Sequence, residues 1–361
     1  MYPLEDGLLY PRNQWWVAAK SNEVGRSLLQ RTLLEEDVVF YRTEAGEPVA
    51  LAARCPHRLL PLSQGKLRGD SVECGYHGFT FGSDGRCVFM PTQDRIPTGM
   101  RVRRYPVVEH LSWVWIWMGD PALADPAKLP RPACAGTPGW ELTQGHDVLI
   151  KARYTLLLDN LFDLTHVGWI HASVFGSPDG KPMQGLDAPI EFKMEGEQLF
   201  AVLHQIGLPY DGAATLFFGP GRGLANLDGC SDYYSPALTV TGMVYTFDEA
   251  GAGPHAVRMD GRMGGAMRIL HGVTPETRYS THYFSAHARN FRLGDAELSN
   301  GFTELDRVVR QQDAAALELI EPAAQRMKLS DEQSGVQDAA GIRVRRLLAQ
   351  QIKRDMAGSS G

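Results

Sequence analysis

Two short stretches of sequence, Cys55-Pro-His57-Arg and Cys74-Gly-Tyr-His77-Gly, determine the fold that the first third of the chain can adopt. Each carries one cysteine and one histidine, and sixteen residues separate His57 from Cys74. Because Pro and Gly surround both pairs, each pair is expected in a loop between strands. Two such loops can bring two thiolates and two imidazoles to one site, so the spacing predicts a metal centre rather than four unrelated residues.

The ligand types leave two kinds of centre open, because structural Zn²⁺ also accepts tetrahedral Cys₂His₂ ligation. The pattern C-x-H followed by C-x-x-H resembles the Rieske ferredoxin motif, with Pro after the first cysteine and Gly around the second histidine. The resemblance implies that Cys55 and Cys74 bind the inner iron of a 2Fe–2S cluster. His57 and His77 would bind the outer iron at the exposed edge, and such a cluster relays single electrons.

Short apolar runs broken by Gly and Pro, such as Asp37-Val-Val-Phe-Tyr and Ser112-Trp-Val-Trp-Ile-Trp, predict an antiparallel β domain over residues 1–120. A proline-rich connector follows over 121–135. Residues 136–361 are expected to form the second domain, with strands from about residue 190 to Phe291 and a helix at each end. The predicted class is α+β, with a second domain that is helix-grip-like, a central antiparallel sheet flanked by helices.

The second group of candidate ligands lies in Asn160-Leu-Phe-Asp163-Leu-Thr-His166-Val-Gly-Trp-Ile-His171. The apolar spacing predicts a helix from Tyr154 to His171 on which Asp163 and His166 share one face. His171 is five residues beyond His166, so it reaches the same ion only if the helix distorts or ends after Gly168. An acid and two histidines among buried apolar residues favour a second metal site.

This segment resembles the D-x-x-H-x₄-H motif of Rieske oxygenase catalytic domains. The resemblance implies that His166 and His171 bind a mononuclear Fe(II) with a distant carboxylate, which leaves positions open for O₂. It also implies that Asp163 bridges an iron-binding histidine and a cluster histidine of a neighbouring subunit. Asn160 stands where the family often has Asn or an acid.

Asp313 is the preferred candidate for the distant carboxylate. It follows Val309 by four residues on a predicted helix from Leu305 to Ile320, near the buried stripe, where an unpaired carboxylate is costly. Asp306 and Glu318 remain alternatives, as does a solvated surface carboxylate. Cys87, Cys134 and Cys230 have no partner at ligand spacing and are interpreted as ordinary core or loop residues.

The whole pattern, including Trp15-Trp16, resembles the vanillate and dicamba O-demethylase branch of the Rieske oxygenases. It implies a homotrimer, O₂ and a small aromatic acid as substrates, and electrons from a separate NAD(P)H-dependent reductase, with or without a ferredoxin. Ring or methyl hydroxylation is the alternative, and a non-enzymatic zinc-stabilised binding protein is a weaker one. A carboxylate-binding residue is expected among six basic candidates, namely His204, Arg258, His271, His282, His287 and Arg289.

The net charge of −6 argues against a nucleic-acid partner, since phosphate binding needs a basic surface. A basic run near the C-terminus, from Arg343 through Arg345 to Arg354, is interpreted as a solvated helix face. The N-terminus has no signal-peptide pattern and no run of eighteen apolar residues occurs, so the expected location is the cytoplasm without a membrane partner.

Overall fold

The computed structural model describes residues 9–175, 188–210, 212–326 and 332–358. The chain forms two compact units. The smaller, here called the N-terminal unit, consists of Tyr10–Leu129 with Thr274–Arg278. The larger, here called the C-terminal unit, consists mainly of Pro130–Val273 and Tyr279–Gly361.

Antiparallel strands build the N-terminal unit. They are β1 (Trp15–Lys20), β2 (Leu29–Leu33), β3 (Glu36–Arg42), β4 (Pro48–Ala52), β5 (Lys66–Arg68), β6 (Ser71–Glu73), β7 (Thr80–Phe81), β8 (Cys87–Phe89), β9 (Arg104–Tyr105), β10 (Val107–His110) and β11 (Trp113–Trp117). They pair as β1-β11-β10, β2-β3-β4-β9 and β5-β6-β7-β8.

Strand β11 shows why this sequence forms a sheet. All five of its residues, Trp113-Val-Trp-Ile-Trp117, are buried, and β11 pairs with β1 on one side and β10 on the other. A short unbroken apolar run suits a strand whose two faces are both covered. A separate core carries the two Cys/His loops, because Cys55 and Cys74 pack among buried residues that include Leu51, Val72 and Phe81.

One antiparallel sheet forms the centre of the C-terminal unit. Its strands are β12 (Glu141–Gln144), β13 (Val148–Ile150), β14 (Ile190–Glu195), β15 (Gln198–Pro209), β16 (Leu224–Ser235), β17 (Leu238–Phe247), β18 (Val257–Met259), β19 (Arg262–Thr277) and β20 (Ser280–Arg289). The order is β12-β20-β19-β17-β16-β15-β14, while β13 also pairs with β20 and β18 with β19.

The register of this sheet creates an apolar surface. Leu203, Gly229, Met243 and Met267 are directly opposed on four neighbouring strands. Directly opposed residues of antiparallel strands point to the same face, so these four form one row. We call the face that carries this row the inner face of the sheet.

The helices of the described chain are α1 (Tyr154–Phe162), α2 (Val167–Ile170), α3 (Ala172–Phe175), α4 (Gly212–Phe218), α5 (Ala296–Ala324) and α6 (Ala339–Gly358). Helix α5 lies on the inner face, where Arg310 donates to the main-chain carbonyl of Phe284 in β20 (3.2 Å). Ser231 of β16 donates to the carbonyl of Leu161 in α1 (2.7 Å). The predicted fold class, an antiparallel β domain followed by a central sheet with helices, is confirmed.

The helix predicted from Tyr154 to His171 is wrong in its length, because α1 ends at Phe162. Asp163 leaves the helical conformation (φ −95°, ψ 88°), and its Oδ1 accepts hydrogen bonds from the main-chain N–H and the hydroxyl of Thr165 (2.9 and 2.5 Å). A side chain that binds the backbone two residues ahead competes with helix formation. The break therefore precedes His166 rather than following Gly168, and Asp163 and His166 share no helical face.

Helix α6 corrects the interpretation of the basic run. The side chain of Arg345 is only 14% exposed and forms ion pairs with Asp159 of α1 and with Glu332 (2.7 and 2.8 Å). It therefore ties α6 to the helix that leads into Asp163. Arg343 and Arg346 are exposed. Among the described residues, none of the helices has the length and apolar character needed to cross a bilayer.

The connector predicted over 121–135 begins with two single turns of 3₁₀ helix, Pro121–Leu123 and Pro126–Lys128. In each turn an aspartate caps the first residues, Asp120 accepting from Ala122 and Asp125 from Ala127 (2.9 Å in both). Proline at the first helical position needs no N–H partner, so an Asp-Pro pair starts such a turn readily.

Candidate metal centres and an adjoining cavity

The two Cys/His loops of the N-terminal unit have matching backbones. In each loop the N–H of the residue four after the cysteine donates to the cysteine's carbonyl, Leu59 to Cys55 (2.9 Å) and Gly78 to Cys74 (3.0 Å). Leu59 and Gly78 also share a positive φ, 61° and 71°. The loops therefore present their cysteines from equivalent turns.

Two glycines bring the segments that carry the loops into close contact. A Cβ on Gly65 would lie 2.1 Å from the carbonyl oxygen of Glu73, and one on Gly75 would lie 2.7 Å from that of Gln64. Real Cβ atoms do not approach a carbonyl oxygen so closely, so neither position admits a larger residue without a backbone shift.

The four candidate ligands fit a Rieske cluster. Cys55 and Cys74 are each only 2% exposed, whereas His77 is exposed and His57 half-buried. The imidazole centroids of the two histidines are 4.6 Å apart, close enough to serve one iron at an open edge. Burial raises the pKa of the Cys55 thiol to about 11, a penalty on the thiolate that a bound cation removes.

In the C-terminal unit, His166, His171 and Asp313 each offer one ligand atom, and these atoms lie within 4.8 Å of one another. Oδ1 of Asp313 lies 3.1 Å from Nε2 of His171 and 3.6 Å from Nε2 of His166. Asp313 is 3% exposed and His171 1% exposed. Two imidazole nitrogens and a carboxylate oxygen around one point are the donor set of a facial triad.

The other ring nitrogens explain why the Nε2 atoms converge. Nδ1 of His166 contacts the main-chain carbonyl of Asp163, and Nδ1 of His171 lies 2.8 Å from the side-chain oxygen of Gln312. A carbonyl oxygen only accepts, so both Nδ1 atoms carry a proton, and both Nε2 atoms, which face Asp313, are the nitrogens that can bind a metal ion. The side-chain amide of Gln312 in turn donates to Ser173 (2.9 Å).

Asp313 dominates the electrostatics of this group. Burial by itself lowers the pKa of His171, but the hydrogen bond and the charge of Asp313, together with Gln312, raise it above its ordinary value. Asn160 donates from its side-chain amide to Oδ1 of Asp313 (3.1 Å). The carboxylate is therefore held by α1 and faces both histidines, and a divalent cation there would take the place of the extra proton.

The alternative carboxylates lie elsewhere. Asp306 forms an ion pair with Arg310 (2.8 Å) and accepts a hydrogen bond from Ser285 (2.7 Å). Glu318 accepts from the main-chain N–H of Lys151 (2.9 Å). Asp313 is therefore the acid of this helix that the structure brings to the two histidines. Asp163 contacts His166 through its main-chain carbonyl rather than through its carboxylate, which binds Thr165.

A cavity of about 160 Å³ adjoins His166, His171 and Asp313. The inner face of the sheet, α1 and α5 enclose it, and its wall is mainly apolar, with Leu203, Met243 and Met267 on the sheet and Phe302, Leu305 and Val309 on α5. An apolar cavity of roughly 150 Å³ holds a benzene molecule, so this one suits a single aromatic ring.

The six basic residues predicted as candidates for binding a substrate carboxylate differ in whether they line this cavity. His271 and His287 line the cavity. His204 pairs with Asp228 at a half-buried position, and Arg258 pairs with Glu249 at an exposed one. Arg289 is buried against Glu141 and Ser299, and His282 is buried without lining the cavity.

Sequence reasoning missed three contributors to this site. Gln312 orients His171, Arg310 is fully buried beside the cavity, and Cys230, interpreted as an ordinary core residue, forms part of the cavity wall. Arg310 follows Asp306 by four residues, so an ion pair on one helix face was open to prediction. Gln312 gives no such signal, because its partner is 141 positions away in the chain.

Comparisons with known proteins agree with both centres. Residues 14–106 match the model of the Rieske [2Fe-2S] domain, and residues 150–354 match the vanillate O-demethylase oxygenase C-terminal domain. The Rieske match decides between the two kinds of Cys₂His₂ centre that the spacing left open.

Relatives and solved structures match over most of the chain. A putative toluene-4-sulfonate monooxygenase system iron-sulfur subunit of Comamonas testosteroni is 34% identical over 85% of this chain and 87% of its own length. A vanillate O-demethylase oxygenase subunit of Pseudomonas sp. is 32% identical over 97% of this chain and 98% of its own. Dicamba monooxygenase bound to 3,6-dichlorosalicylic acid superposes with a TM-score of 0.84 at 27% identity, covering 97% of this chain and 99% of that one.

The resemblance inferred from the Cys/His loops and the D-x-x-H-x₄-H segment is confirmed. The cofactors of this family are a Rieske 2Fe–2S cluster and a mononuclear iron, and the donor sets described above fit both. The chain therefore belongs to the Rieske non-haem iron monooxygenases, as an oxygenase component with a catalytic domain of the vanillate O-demethylase type.

Proposed function

We propose that this oxygenase component hydroxylates a small aromatic acid and that the reaction is the oxidative O-demethylation of a methoxy group. The observation that carries the proposal is the convergence of His166, His171 and Asp313 at the wall of an apolar cavity of about 160 Å³. A substrate ring in that cavity has a carbon beside the metal position and mainly apolar side chains around it.

In this proposal Cys55, Cys74, His57 and His77 hold the cluster, and His166, His171 and Asp313 hold Fe(II). The mononuclear iron supplies O₂ activation when it is bound. The protein side chains have distinct tasks. Gln312 and the carbonyl of Asp163 fix the histidine tautomers, Asn160 fixes the carboxylate, and the apolar wall positions the substrate and excludes water.

The chemistry follows from the class of substrate. Hydroxylation of a methoxy carbon consumes one O₂, two electrons and two protons and releases one water. The resulting hemiacetal breaks its carbon–oxygen bond to the former methyl group and gives a phenol and formaldehyde. The electrons come from a separate NAD(P)H-dependent reductase, directly or through a ferredoxin, and we propose a cytoplasmic location, where that nucleotide is found.

We also propose a homotrimer in which electrons pass from the cluster of one subunit to the iron of the next, with Asp163 as the bridge. Each centre adjoins exposed apolar side chains that a neighbouring subunit would cover. Trp169, between the two iron-binding histidines, is 72% exposed, and Leu59 and Tyr76, beside the cluster histidines, are 66% and 61% exposed. Such patches are typical of interaction surfaces.

A second candidate is hydroxylation of an aryl methyl group. The 34% identity to the toluene-4-sulfonate monooxygenase subunit favours it. The same site serves both reactions, since each attacks a carbon that projects from the ring. The products distinguish them, because a methyl group becomes a stable alcohol whereas a methoxy group is released as formaldehyde.

The experiment is turnover of methoxylated, methylated and unsubstituted aromatic acids by the purified protein with a surrogate reductase and NADH, following O₂ uptake and formaldehyde. Formaldehyde in proportion to O₂ supports O-demethylation, and a benzylic alcohol supports the second candidate. His166→Ala is the matched variant, which we expect to lose mononuclear iron and turnover but keep the cluster spectrum. Loss of both centres would contradict this division of ligands.

A further inference from the structure

Besides His166 and His171, two more histidines line the cavity, His271 and His287, and they differ in the hydrogen bonds of their ring nitrogens. Nε2 of His271 lies 2.7 Å from the hydroxyl of Thr241, and Nδ1 lies 2.7 Å from the hydroxyl of Tyr283. Burial, with the charge of Arg310, lowers the pKa of His271 well below its ordinary value. His271 is therefore a neutral ring with both nitrogens occupied.

His287 has neither nitrogen in a hydrogen bond to any residue that the structure describes, although it is only 4% exposed. A buried polar atom without a partner destabilises the folded state, so native proteins rarely leave one. Because the ring lines the cavity, a molecule bound there can reach it. Of His271 and His287, it is therefore His287 whose ring nitrogens can still form a hydrogen bond.

The described residues around His287 hold its ring in place but form no hydrogen bond to its nitrogens. A Cβ on Gly145 would lie 2.9 Å from Cε1 of the imidazole, so the glycine makes room for the ring. Nε2 lies 3.5 Å from Oδ1 of Asp306, too far for a good hydrogen bond. Asp306 is itself fixed by Arg310 and Ser285.

Helix α5 sets the distance between His287 and the metal ligands. Asp306, beside His287, and Asp313 are seven residues apart on this helix, which corresponds to about 10.5 Å along its axis. A molecule that contacts His287 and lies along α5 therefore has its opposite end toward the iron position. The apolar wall between the two ends suits the ring itself.

We infer that His287 donates a hydrogen bond to the acidic group of the aromatic substrate and thereby directs the opposite side of the ring toward the iron. The inference rests on the proposed function and adds the residue that selects for an acid. An imidazole N–H that no described acceptor takes up can donate to the carboxylate or sulfonate of a bound substrate, and a hydrogen bond to a charged acceptor is a strong one.

The test compares ligand binding by the holoenzyme and by two variants, His287→Gln and His287→Leu. The probes are 4-methoxybenzoate and toluene-4-sulfonate, with uncharged 4-methylanisole as the matched ligand without an acid. Dissociation constants are measured by calorimetry without O₂. Iron content, cluster spectrum and melting temperature establish that each variant is folded and loaded.

We expect both variants to bind the two acids roughly 10- to 100-fold more weakly, the range for a lost hydrogen bond to a charged group, and to bind 4-methylanisole as wild type does. Equal weakening of all three ligands would indicate a merely structural role and overturn the inference. If wild type turns over the acids and the variants bind them unchanged, the inference fails while the proposed function stands. If wild type neither binds nor oxidises an acid, the proposed function itself fails.

Discussion

The side-chain oxygen of Gln312 accepts a hydrogen bond from Nδ1 of His171 over 2.8 Å, so the residue directly before Asp313 orients another proposed iron ligand. Two successive residues of α5 therefore contribute to the same site, Asp313 as a proposed iron ligand and Gln312 by orienting His171. Partners of this kind fix the tautomer of a metal-binding histidine and raise its basicity.

We expect Gln312→Leu to weaken iron binding by roughly 10- to 100-fold, because Nδ1 of His171 loses its acceptor while the cluster is untouched. Iron retained against a graded chelator measures the effect, with the cluster absorbance as the internal reference. Gln311→Leu is the control, since Gln311 is exposed on the same helix. Equal iron retention by the two variants would contradict the orienting role.

Asp313→Ala is expected to abolish mononuclear iron binding, whereas Glu318→Gln keeps it. Both acids lie on α5, but only Asp313 faces the two histidines, while Glu318 binds the main chain of Lys151. Metal analysis of the two purified variants decides the assignment. Loss of iron from Glu318→Gln with retention in Asp313→Ala would reverse it.

Asp306→Asn should destabilise the protein by about 3–5 kcal/mol at neutral pH, because it leaves Arg310 buried without a counter-charge. Replacing both, as Asp306→Leu with Arg310→Met, should recover much of that loss. Urea unfolding monitored through the catalytic domain measures the free energies of unfolding. A double variant as unstable as the single one would argue against an uncompensated charge.

The effect of Asp306 should depend on pH in a definite direction. Burial alone raises the pKa of Asp306, but Arg310, with His287 and Ser285, outweighs burial and holds that pKa well below its ordinary value. The stabilisation is therefore present in full above the pKa of the unfolded carboxyl, about 3.9, and declines as the pH falls through the folded pKa. The difference in free energy between wild type and Asp306→Asn should accordingly shrink in acid.

Gly65→Ala is expected to cost the N-terminal unit its cluster, since the new Cβ would lie 2.1 Å from the carbonyl oxygen of Glu73, one residue before Cys74. Visible absorbance and iron content of the purified variant measure cluster occupancy. Gly25→Ala serves as the matched control, because a Cβ there has no atom within 4 Å. Full cluster occupancy in Gly65→Ala would show that the two Cys/His loops can move apart and still bind the cluster.

Asp163→Asn should keep both metal centres while slowing turnover by orders of magnitude, because an amide no longer supplies the proposed bridge between subunits. Metal content and reductase-driven O₂ uptake are measured together. Single-turnover reduction of the cluster separates electron delivery to the cluster from transfer to the iron. Turnover near that of wild type would remove the bridging role.

Much of the fold follows from local sequence pattern. The unbroken apolar run of β11, the Gly turns and the apolar spacing of α5 each reflect burial, which leaves a signal within a few residues. The predicted helix from Leu305 to Ile320 lies inside α5, which extends to Ala296 and Ala324. Asp295 accepts from the N–H of Leu298 at its start, a capping signal that apolar spacing does not contain.

Two kinds of interaction made part of the site unpredictable. One is contact between residues distant in sequence, and the other is a side-chain hydrogen bond that competes with helix formation. The periodicity of apolar residues continues past Asp163 and so predicts a continuous helix, which the hydrogen bond from the main-chain N–H of Thr165 to Oδ1 of Asp163 interrupts. The choice between His271 and His287 among six basic residues required knowing which nitrogens already had partners. No pattern in the sequence carries that information.

Helix α5 links two properties, reactivity at the iron position and selection of an acidic substrate, that could otherwise vary separately. It carries Asp313 at one end of the cavity and, two turns earlier, Asp306, which lies beside His287 and pairs with Arg310. One residue inserted between them would turn one end by about 100° relative to the other, so changes in length are excluded where changes in side chain are not. Substrate range should therefore diversify by substitution along this helix, and a graft of the equivalent helix from a relative should move reactivity and acid selection together.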